Sequence, residues 1–163
     1  MCSSGIWASD IPTQKAWDFR DIHGPNVTPR SELERHRGPI LPEDKRSIGI
    51  VQGVQGYRWL TFTIHGKGAH TGTTPLSARH DPVLAVSRMI AASNDIAKRH
   101  GALASTGIIK VPPNASTDLL TVASEVTFTL DIGHPQDSVV HAVQGECLRS
   151  FAQISSHDGK GGR

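Results

Sequence analysis

Two segments of this chain alternate strictly between apolar and polar residues, and that pattern restricts the fold more than any other feature. The apolar members are Leu60, Phe62 and Ile64 in the first segment and Val126, Phe128, Leu130 and Ile132 in the second. Because successive side chains of a β-strand point to opposite faces, each segment is predicted to be a strand with one buried face. Residues 104–111, ASTGIIKV, predict a third strand of the same kind.

Two amphipathic helices are predicted to cover the apolar face of these strands. The first begins after Asp81, an N-cap residue followed by Pro82, and ends at the basic residues 98–100 and Gly101, which favour a helix C-terminus. Its apolar residues recur at helical spacing: Val83, Val86, Met89, Ile90 and Ala97. The second helix follows Pro135 and has one apolar stripe: Val139, Val140, Val143, Cys147, Leu148, Phe151 and Ile154.

The order strand, helix, strand, strand, helix predicts an α+β fold, a two-layer sandwich whose antiparallel sheet carries both helices on one face. A closing strand is expected after Ile154, but residues 155–163 are rich in Gly, Ser and charge and are predicted to be a disordered tail. Residues 47–154 are therefore predicted to form one domain, preceded by a loop-rich segment at residues 1–46. A sheet without its last strand has unpaired backbone groups, which favours association with another chain.

The composition fits a small globular protein with one core. The chain has 163 residues, 37% of them apolar, and its 17 basic and 15 acidic residues are interspersed, so neither a nucleic-acid nor a membrane partner is expected. No leader-like segment and no long apolar run is present in the sequence. Only two cysteines occur, Cys2 and Cys147, which favours a reducing compartment and a cytoplasmic location.

The segment GKGAHTGTTPLSARHDP, residues 66–82, carries the most specific signal. With IGIVQGVQGYRW before it and FTLDI after it, this segment resembles the dimerisation (lid) domain of the amidase/hydantoinase/carbamoylase family of zinc amidohydrolases. That family includes N-carbamoyl-L-amino-acid hydrolases, ureidopropionases and allantoate amidohydrolases. The resemblance covers roughly residues 38–150 and implies a ferredoxin-like lid domain. SGIWASDIP and SELER more weakly resemble the catalytic domain, so residues 1–46 are expected to be its remnant.

The resemblance also implies a reaction and a role for one histidine. In the family, a metal-activated water attacks a carbamoyl or ureido carbon, and a lid histidine from the partner subunit stabilises the oxyanion. His70 stands at that position. Lids of the family pair across a dimer, so the expected partner is a second copy or a full-length homologue.

Several positions depart from the family pattern. The family has a His-Ile-Glu-Gln string, which binds metal and substrate, before the position of Gly38; residues 34–37 here are Glu-Arg-His-Arg. Either the string has diverged or the stretch has been lost, and the match of SELER favours loss. The arginine that holds the substrate carboxylate is replaced by Gly133, and its asparagine partner falls near Asp118, with Asn114 as a weaker substitute. Carboxylated substrates are therefore expected to bind poorly.

No metal centre is expected in this chain, although the full-length family binds zinc or another divalent metal. The pairs His65 with His70 and His134 with His141 lack an acidic cluster, so structural roles are expected for them. The leading hypothesis is a lid fragment that is inactive alone and self-associates. An alternative is a partner subunit that contributes His70 in trans to an active homologue. A third hypothesis, an RNA-binding module, is disfavoured because the only aromatic residue in FTLDI, Phe128, is predicted to be buried.

Overall fold

A computed structural model describes residues 55–116 and 118–158, the backbone of Trp7–Ser9, and the isolated residues 43 and 45. Contacts divide the chain into two units, Met1–Thr13 together with Gln55–Arg163, and Gln14–Val54. The description below concerns the first unit. Most of the predicted catalytic remnant at residues 1–46, and the segment 48–54 before the first long strand, lie outside the described residues.

The described part of the chain forms an α+β fold, as the sequence predicts. Its elements are β1 (Trp7–Ser9), β2 (Gly56–His65), β3 (Ala69–His70), a 3₁₀ turn (Leu76–Ala78), α1 (Pro82–Arg99), β4 (Leu103–Ser105), β5 (Ile109–Lys110), β6 (Thr121–Val122), β7 (Glu125–His134) and α2 (Asp137–Asp158). The main sheet is antiparallel in the order β1-β2-β7-β4, with β5 also pairing with β7, whereas β3 and β6 form a separate two-stranded ladder.

Strands β2 and β7 form the centre of the sheet and pair along their full ten residues. Phe62 lies opposite Phe128, and both side chains are completely buried on the face that carries the helices. Phe151 of α2 contacts both rings edge-on, with ring centroids 5.1 and 5.9 Å away. All seven apolar residues of the two predicted strands are buried, which confirms the one-sided alternation. The helices bury Val86, Met89, Val140, Val143, Cys147 and Phe151 against that face.

Helix α1 begins and ends where the sequence places it. The Asp81 carboxylate accepts hydrogen bonds from the backbone N–H groups of Val83 (2.9 Å) and Leu84 (3.2 Å), and Gly101 has a φ of 64° after the helix. The expected burial of Val83 is wrong, because its side chain is 48% exposed. The buried stripe starts at Pro82 and continues through residues 85, 86 and 89, so Val83 faces away from it.

Two other boundaries differ from the sequence-based expectation. Helix α2 continues to Asp158, beyond Ile154, so the first residues of the predicted disordered tail are helical; residues 159–163 lie outside the described part. The predicted strand at 104–111 is divided into β4 and β5, because the Ile108 N–H donates to the Thr129 hydroxyl (3.1 Å) within this stretch instead of continuing a regular ladder. Leu148, expected on the apolar stripe of α2, is 38% exposed.

The described residues contain no strand after α2, and β1 pairs with the free edge of β2 instead. Its three residues lie opposite Thr61–Thr63. The sequence analysis predicted this N-terminal segment to be loop, because it lacks a sustained strand period. A two-residue period is hard to recognise in a segment of three residues. The pairing of β1 depends on the edge of β2 that is not occupied by β7.

None of the described helices is both long enough and apolar enough to cross a membrane.

Replacing Phe128 with Ala is expected to lower the free energy of unfolding by about 3–5 kcal/mol, because the cavity lies between two other buried rings. Urea denaturation followed by circular dichroism measures this loss. Leu119→Ala is the control, because Leu119 is 97% exposed, and it should change stability by less than about 0.5 kcal/mol. Equal stabilities for the two variants would contradict the core described above.

The Cys147 thiol is expected to resist alkylation and disulfide exchange in the native protein. It is completely buried, and burial raises its pKa from 9.0 to about 11, with the Glu146 charge acting in the same direction. The thiolate, which is the reactive form, is therefore scarce at about pH 8. A Cys2→Ser variant isolates this thiol for labelling with a chromogenic disulfide. Labelling should require denaturant, and reaction of the native protein at the rate of a free thiol would contradict the prediction.

Candidate functional site

Residues 66–82 form a loop between β2 and α1, here called the histidine loop, whose two ends are held together. The Gly66 N–H donates to the Ser124 carbonyl (2.7 Å), and the Lys67 N–H donates to the His80 carbonyl (3.0 Å). A Cβ on Gly66 would lie 2.3 Å from the His80 oxygen and 2.5 Å from the Pro82 ring. Glycine is therefore required where the chain leaves β2, and the base of the loop is narrow.

A short ladder between β3 and β6 holds the first part of the histidine loop. Ala69 lies opposite Val122 and His70 opposite Thr121, and the Thr71 N–H donates to the Leu120 carbonyl (2.7 Å). Val122 is buried, whereas the His70 side chain is exposed. The ladder therefore anchors the backbone of His70 and leaves its imidazole accessible to a ligand.

The imidazole of His70 is exposed, and one of its two nitrogens bonds to a described residue. Its Nδ1 accepts a hydrogen bond from the Gly72 N–H (3.0 Å). A nitrogen that accepts carries no proton, so the neutral ring carries its proton on Nε2. A Cβ on Gly72 would lie 3.3 Å from the His70 ring, so a larger residue there would press on the imidazole. This arrangement presents Nε2–H as a donor to an oxygen atom of a ligand.

Asp118, at the position where the resemblance expects a substrate-binding asparagine, is occupied by its own turn. Its Oδ1 accepts hydrogen bonds from the Leu120 N–H (2.8 Å) and the Thr121 hydroxyl (3.0 Å). Since Thr121 lies opposite His70, the fold brings this carboxylate close to the histidine. Asn114 is exposed in the preceding turn, which the Ala115 N–H closes onto the Pro112 carbonyl (2.9 Å). A carboxylate accepts hydrogen bonds and does not supply the donor that an asparagine amide would provide at this position.

Gly133, at the position of the family arginine, is placed away from the histidine loop. It lies opposite Tyr57 of β2 and Leu103 of β4. The loop attaches at Ser124, next to the start of β7. Gly133 lies eight residues beyond Glu125, the first residue of β7, which corresponds to about 26 Å of extended strand. The structure therefore brings Asp118 to His70 but separates Gly133 from both.

The other candidate histidines are engaged in separate contacts. In the two histidine pairs weighed in the sequence analysis, three members have other partners: His65 contacts the Glu125 carboxylate (3.2 Å), His134 the Gln136 N–H (3.0 Å) and His141 the Arg58 guanidinium (2.6 Å). In the described ranges, no three His, Cys, Asp or Glu side chains are grouped so that they could hold a metal ion. These residues do not fit the divalent metal that the family resemblance implies.

A charged cluster joins the two helices away from the histidine loop. Glu146 of α2 bonds with the Arg99 guanidinium and with His100 Nε2 (2.8 Å), and these hydrogen bonds lower the pKa of Glu146. A shallow groove of about 400 Å³ lies beside this cluster. The groove borders the C-terminal half of α1, whereas the histidine loop leads into the first turn of the same helix. The charged cluster therefore joins the two helices and is separate from the histidine loop.

The helix-free face of the sheet carries a pair of aromatic side chains that bears on the RNA-binding hypothesis. Phe128 is completely buried, as the sequence predicts. The aromatic residues on the open face are Tyr57 and Trp59, whose ring centroids are 5.1 Å apart. Burial raises the pKa of the Asp131 carboxyl, and the hydrogen bond from the Trp59 indole offsets part of that rise. A carboxylate beside the aromatic pair would repel a phosphate backbone.

Arg79 is a further residue of the site, and the sequence analysis did not single it out. Its Nε donates to the Thr74 carbonyl (2.9 Å), and its Nη2 donates to the Thr71 carbonyl. Arg79 is the only arginine between Gly66 and Asp81, and this isolation was the available signal. Arginines in surface loops are common, so the signal becomes informative only when the carbonyls it contacts are known.

The chain is homologous to part of several amidohydrolases, and its structural neighbours include members of the hydantoinase/carbamoylase family. No family model matches the chain. It is 34% identical over 92% of its length to allantoate amidohydrolase of Escherichia coli K12, and 31% identical over 80% to N-carbamoyl-L-amino-acid amidohydrolase of Rhizobium meliloti. The resemblance predicted from residues 66–82 is therefore confirmed.

Solved structures agree with this relationship. A hydantoinase/carbamoylase family amidase from Burkholderia ambifaria superposes on 76% of the chain with a TM-score of 0.70 and 35% identity. The chain covers 36% of the Escherichia coli enzyme, 31% of the Rhizobium enzyme and 30% of the Burkholderia structure. It thus corresponds to about one third of the length of these relatives.

Proposed function

We propose that this chain is the dimerisation (lid) part of a metal-dependent hydrolase that acts on the carbon–nitrogen bonds of N-carbamoyl or ureido amino acids. The names of the similar proteins support this substrate class, since they are allantoate and N-carbamoyl-L-amino-acid amidohydrolases. Their length relative to this chain supports a partial role. The described residues supply no group of metal ligands, so the proposed function of the chain alone is association and ligand contact, without a metal-dependent step of its own.

The observation that carries the proposal is the geometry of His70. The side chain is exposed at the end of a short ladder, and the Gly72 N–H on Nδ1 leaves Nε2–H free to donate. A fixed donor stabilises negative charge that develops on an oxygen during attack on a carbonyl-type carbon. Such a donor needs no metal of its own, which suits a chain whose described residues lack a ligand cluster.

The positions of the site residues favour action on a ligand held by another chain. Gly133 lies far along β7 from the histidine loop, and the Asp118 carboxylate beside His70 is already bonded within its turn. These residues cannot together surround one carboxylated substrate. A partner that supplies the substrate site would make His70 useful in trans, and this partner is a second copy or a full-length homologue.

The edge formed by β4 and β5 is the surface we propose for self-association. These strands pair with β7 on one side, and four apolar residues of this edge segment are exposed: Leu103 (63%), Ile108 (51%), Ile109 (58%) and Val111 (45%). Antiparallel addition of the same edge from a second copy would pair free backbone groups and cover part of this apolar surface. Helix α1 packs beside β4 and would extend the contact.

Replacing Ile109 with Lys is expected to weaken self-association at least about ten-fold, because a charge would enter the apolar contact. Sedimentation velocity over a concentration series measures the change. Leu76→Lys is the matched control: Leu76 is 81% exposed but lies in the histidine loop, away from the proposed edge. A native chain that stays monomeric at the highest attainable concentration would refute self-association, and equal effects of the two variants would refute the assigned edge.

His70 is expected to restore activity in trans to a full-length homologue whose own lid histidine has been replaced by Ala. The two chains are co-expressed, co-purified and assayed on N-carbamoyl amino acids and allantoate. Replacing His70 with Ala in this chain should lower the restored kcat by about 100-fold or more, the usual effect of losing one oxyanion donor.

His134→Ala is the control for this complementation, since His134 also accepts a backbone N–H on Nδ1 but lies at the end of β7. This variant should restore activity like the native chain. The chain purified alone should show neither turnover nor stoichiometric metal by elemental analysis. Stoichiometric metal in the isolated chain would contradict the proposal that the partner supplies the metal site. Undiminished activity with His70→Ala would reject the contact of His70 in trans, and self-association is tested separately by sedimentation.

A further inference from the structure

We infer that Arg79 is the positioning residue of the histidine loop, which sets the tautomer of His70 by holding the Thr71–Gly72 peptide group. This inference rests on the proposed contact role of His70, which it extends by naming the device that keeps the donor in place.

The guanidinium of Arg79 joins two carbonyl groups on either side of Gly72. Its Nε donates to the Thr74 oxygen (2.9 Å) and its Nη2 to the Thr71 oxygen. Arg79 is partly buried, and the 3₁₀ turn Leu76–Ala78 brings it back toward these carbonyls. The planar, forked guanidinium is suited to hold two acceptors in a fixed relation, which a lysine ammonium on a flexible stem is not.

The Thr71 carbonyl belongs to the same peptide group as the Gly72 N–H. Because a peptide group is planar and trans, its C=O and N–H point in opposite directions and turn together. Arg79 therefore holds one end of this plane, while its other end donates to His70 Nδ1 (3.0 Å). A cation on the carbonyl oxygen also polarises the group and strengthens its N–H as a donor.

A rotation of this peptide would reverse the proton arrangement of the imidazole. If the plane turned over, the Thr71 oxygen would face Nδ1, and Nδ1 would then have to carry the proton to make a hydrogen bond. In that tautomer Nε2 is an acceptor and cannot stabilise an oxyanion. Arg79 opposes the rotation because turning the carbonyl away would break its bond with the guanidinium.

The other contacts of this segment do not prevent the Thr71–Gly72 peptide group from rotating. The Thr71 N–H on the Leu120 carbonyl (2.7 Å) fixes the peptide before Thr71, and the Thr74 N–H on the His70 carbonyl (3.2 Å) closes the turn. Neither contact involves the atoms of the Thr71–Gly72 peptide group. Among the described residues, that group bonds to His70 through its N–H and to Arg79 through its carbonyl oxygen.

The test is the tautomer of His70 measured by ¹⁵N–¹H correlation of imidazole nitrogens in the native full chain and in two variants, Arg79→Gln and Arg79→Lys. Spectra are recorded at about pH 8.5, where imidazoles are neutral. The native chain should show the Nε2–H tautomer. Arg79→Gln should shift the tautomer ratio toward Nδ1–H by at least about five-fold, the equivalent of one net hydrogen bond.

Arg79→Lys separates charge from geometry, and it also serves if the glutamine variant does not fold. It keeps the positive charge but loses the fork, so the ratio should move in the same direction by a smaller factor. Arg149→Gln is the matched control, because it removes a guanidinium from the exposed face of α2. His134 is an internal reference in every sample, since its Nδ1 lies 3.0 Å from the Gln136 backbone nitrogen and 3.4 Å from the Gln136 carbonyl oxygen, and no described contact of that segment involves an arginine.

A His70 that remains Nε2–H in both Arg79 variants, or that is Nδ1–H in the native chain, would overturn the inference. A shift of His70 and His134 together would assign the change to loss of the fold and would equally overturn it. These outcomes are independent of the complementation assay. Failure of His70 to act in trans would reject the proposed function while leaving the tautomer measurement intact.

Discussion

The ten-residue antiparallel pairing of β2 with β7 is the interaction on which the rest of the structure depends. It aligns two apolar rows on one face, where Phe62 and Phe128 meet Phe151 of α2. A one-residue slip would turn either row to solvent, so burial fixes the register. The same register places Ser124 beside Gly66 and so determines where the histidine loop leaves the sheet.

The histidine loop uses this rigid base to hold a polar, exposed site. Its two ends are closed by Gly66 and His80, its first residues pair with β6, and its centre is tied to Arg79. Backbone groups make most of these contacts. An exposed donor on such a support loses little freedom when a ligand arrives, which is the physical advantage of preorganisation for a contact made across chains.

The departures from the family pattern have a common physical consequence. Gly133 supplies no charge, and Asp118 adds a negative one that is engaged in its own turn, so the described residues retain a hydrogen-bond donor but no anion-binding partner for it. The proposed role, a lid that contacts a ligand held by another chain, depends on this donor. The exposed apolar edge of β4 and β5 is consistent with a chain that buries part of its surface by association.

The sequence by itself determined the elements whose cause is local. The alternation at residues 60–64 and 126–132 predicted both central strands and their buried faces, and Asp81 with Gly101 bounded α1, because side-chain period and capping chemistry act over a few residues. The motif at residues 66–82 predicted the family and the position of His70. Only the tertiary structure decided the pairing of β1 with β2 and the closeness of Asp118 to His70. It also decided the separation of Gly133 from the histidine loop and the hydrogen bond between Arg79 and the Thr71–Gly72 peptide group. Each of these features depends on which distant segments pack together. Most of the contacts involve backbone groups, which every residue carries, so residue type alone does not predict them.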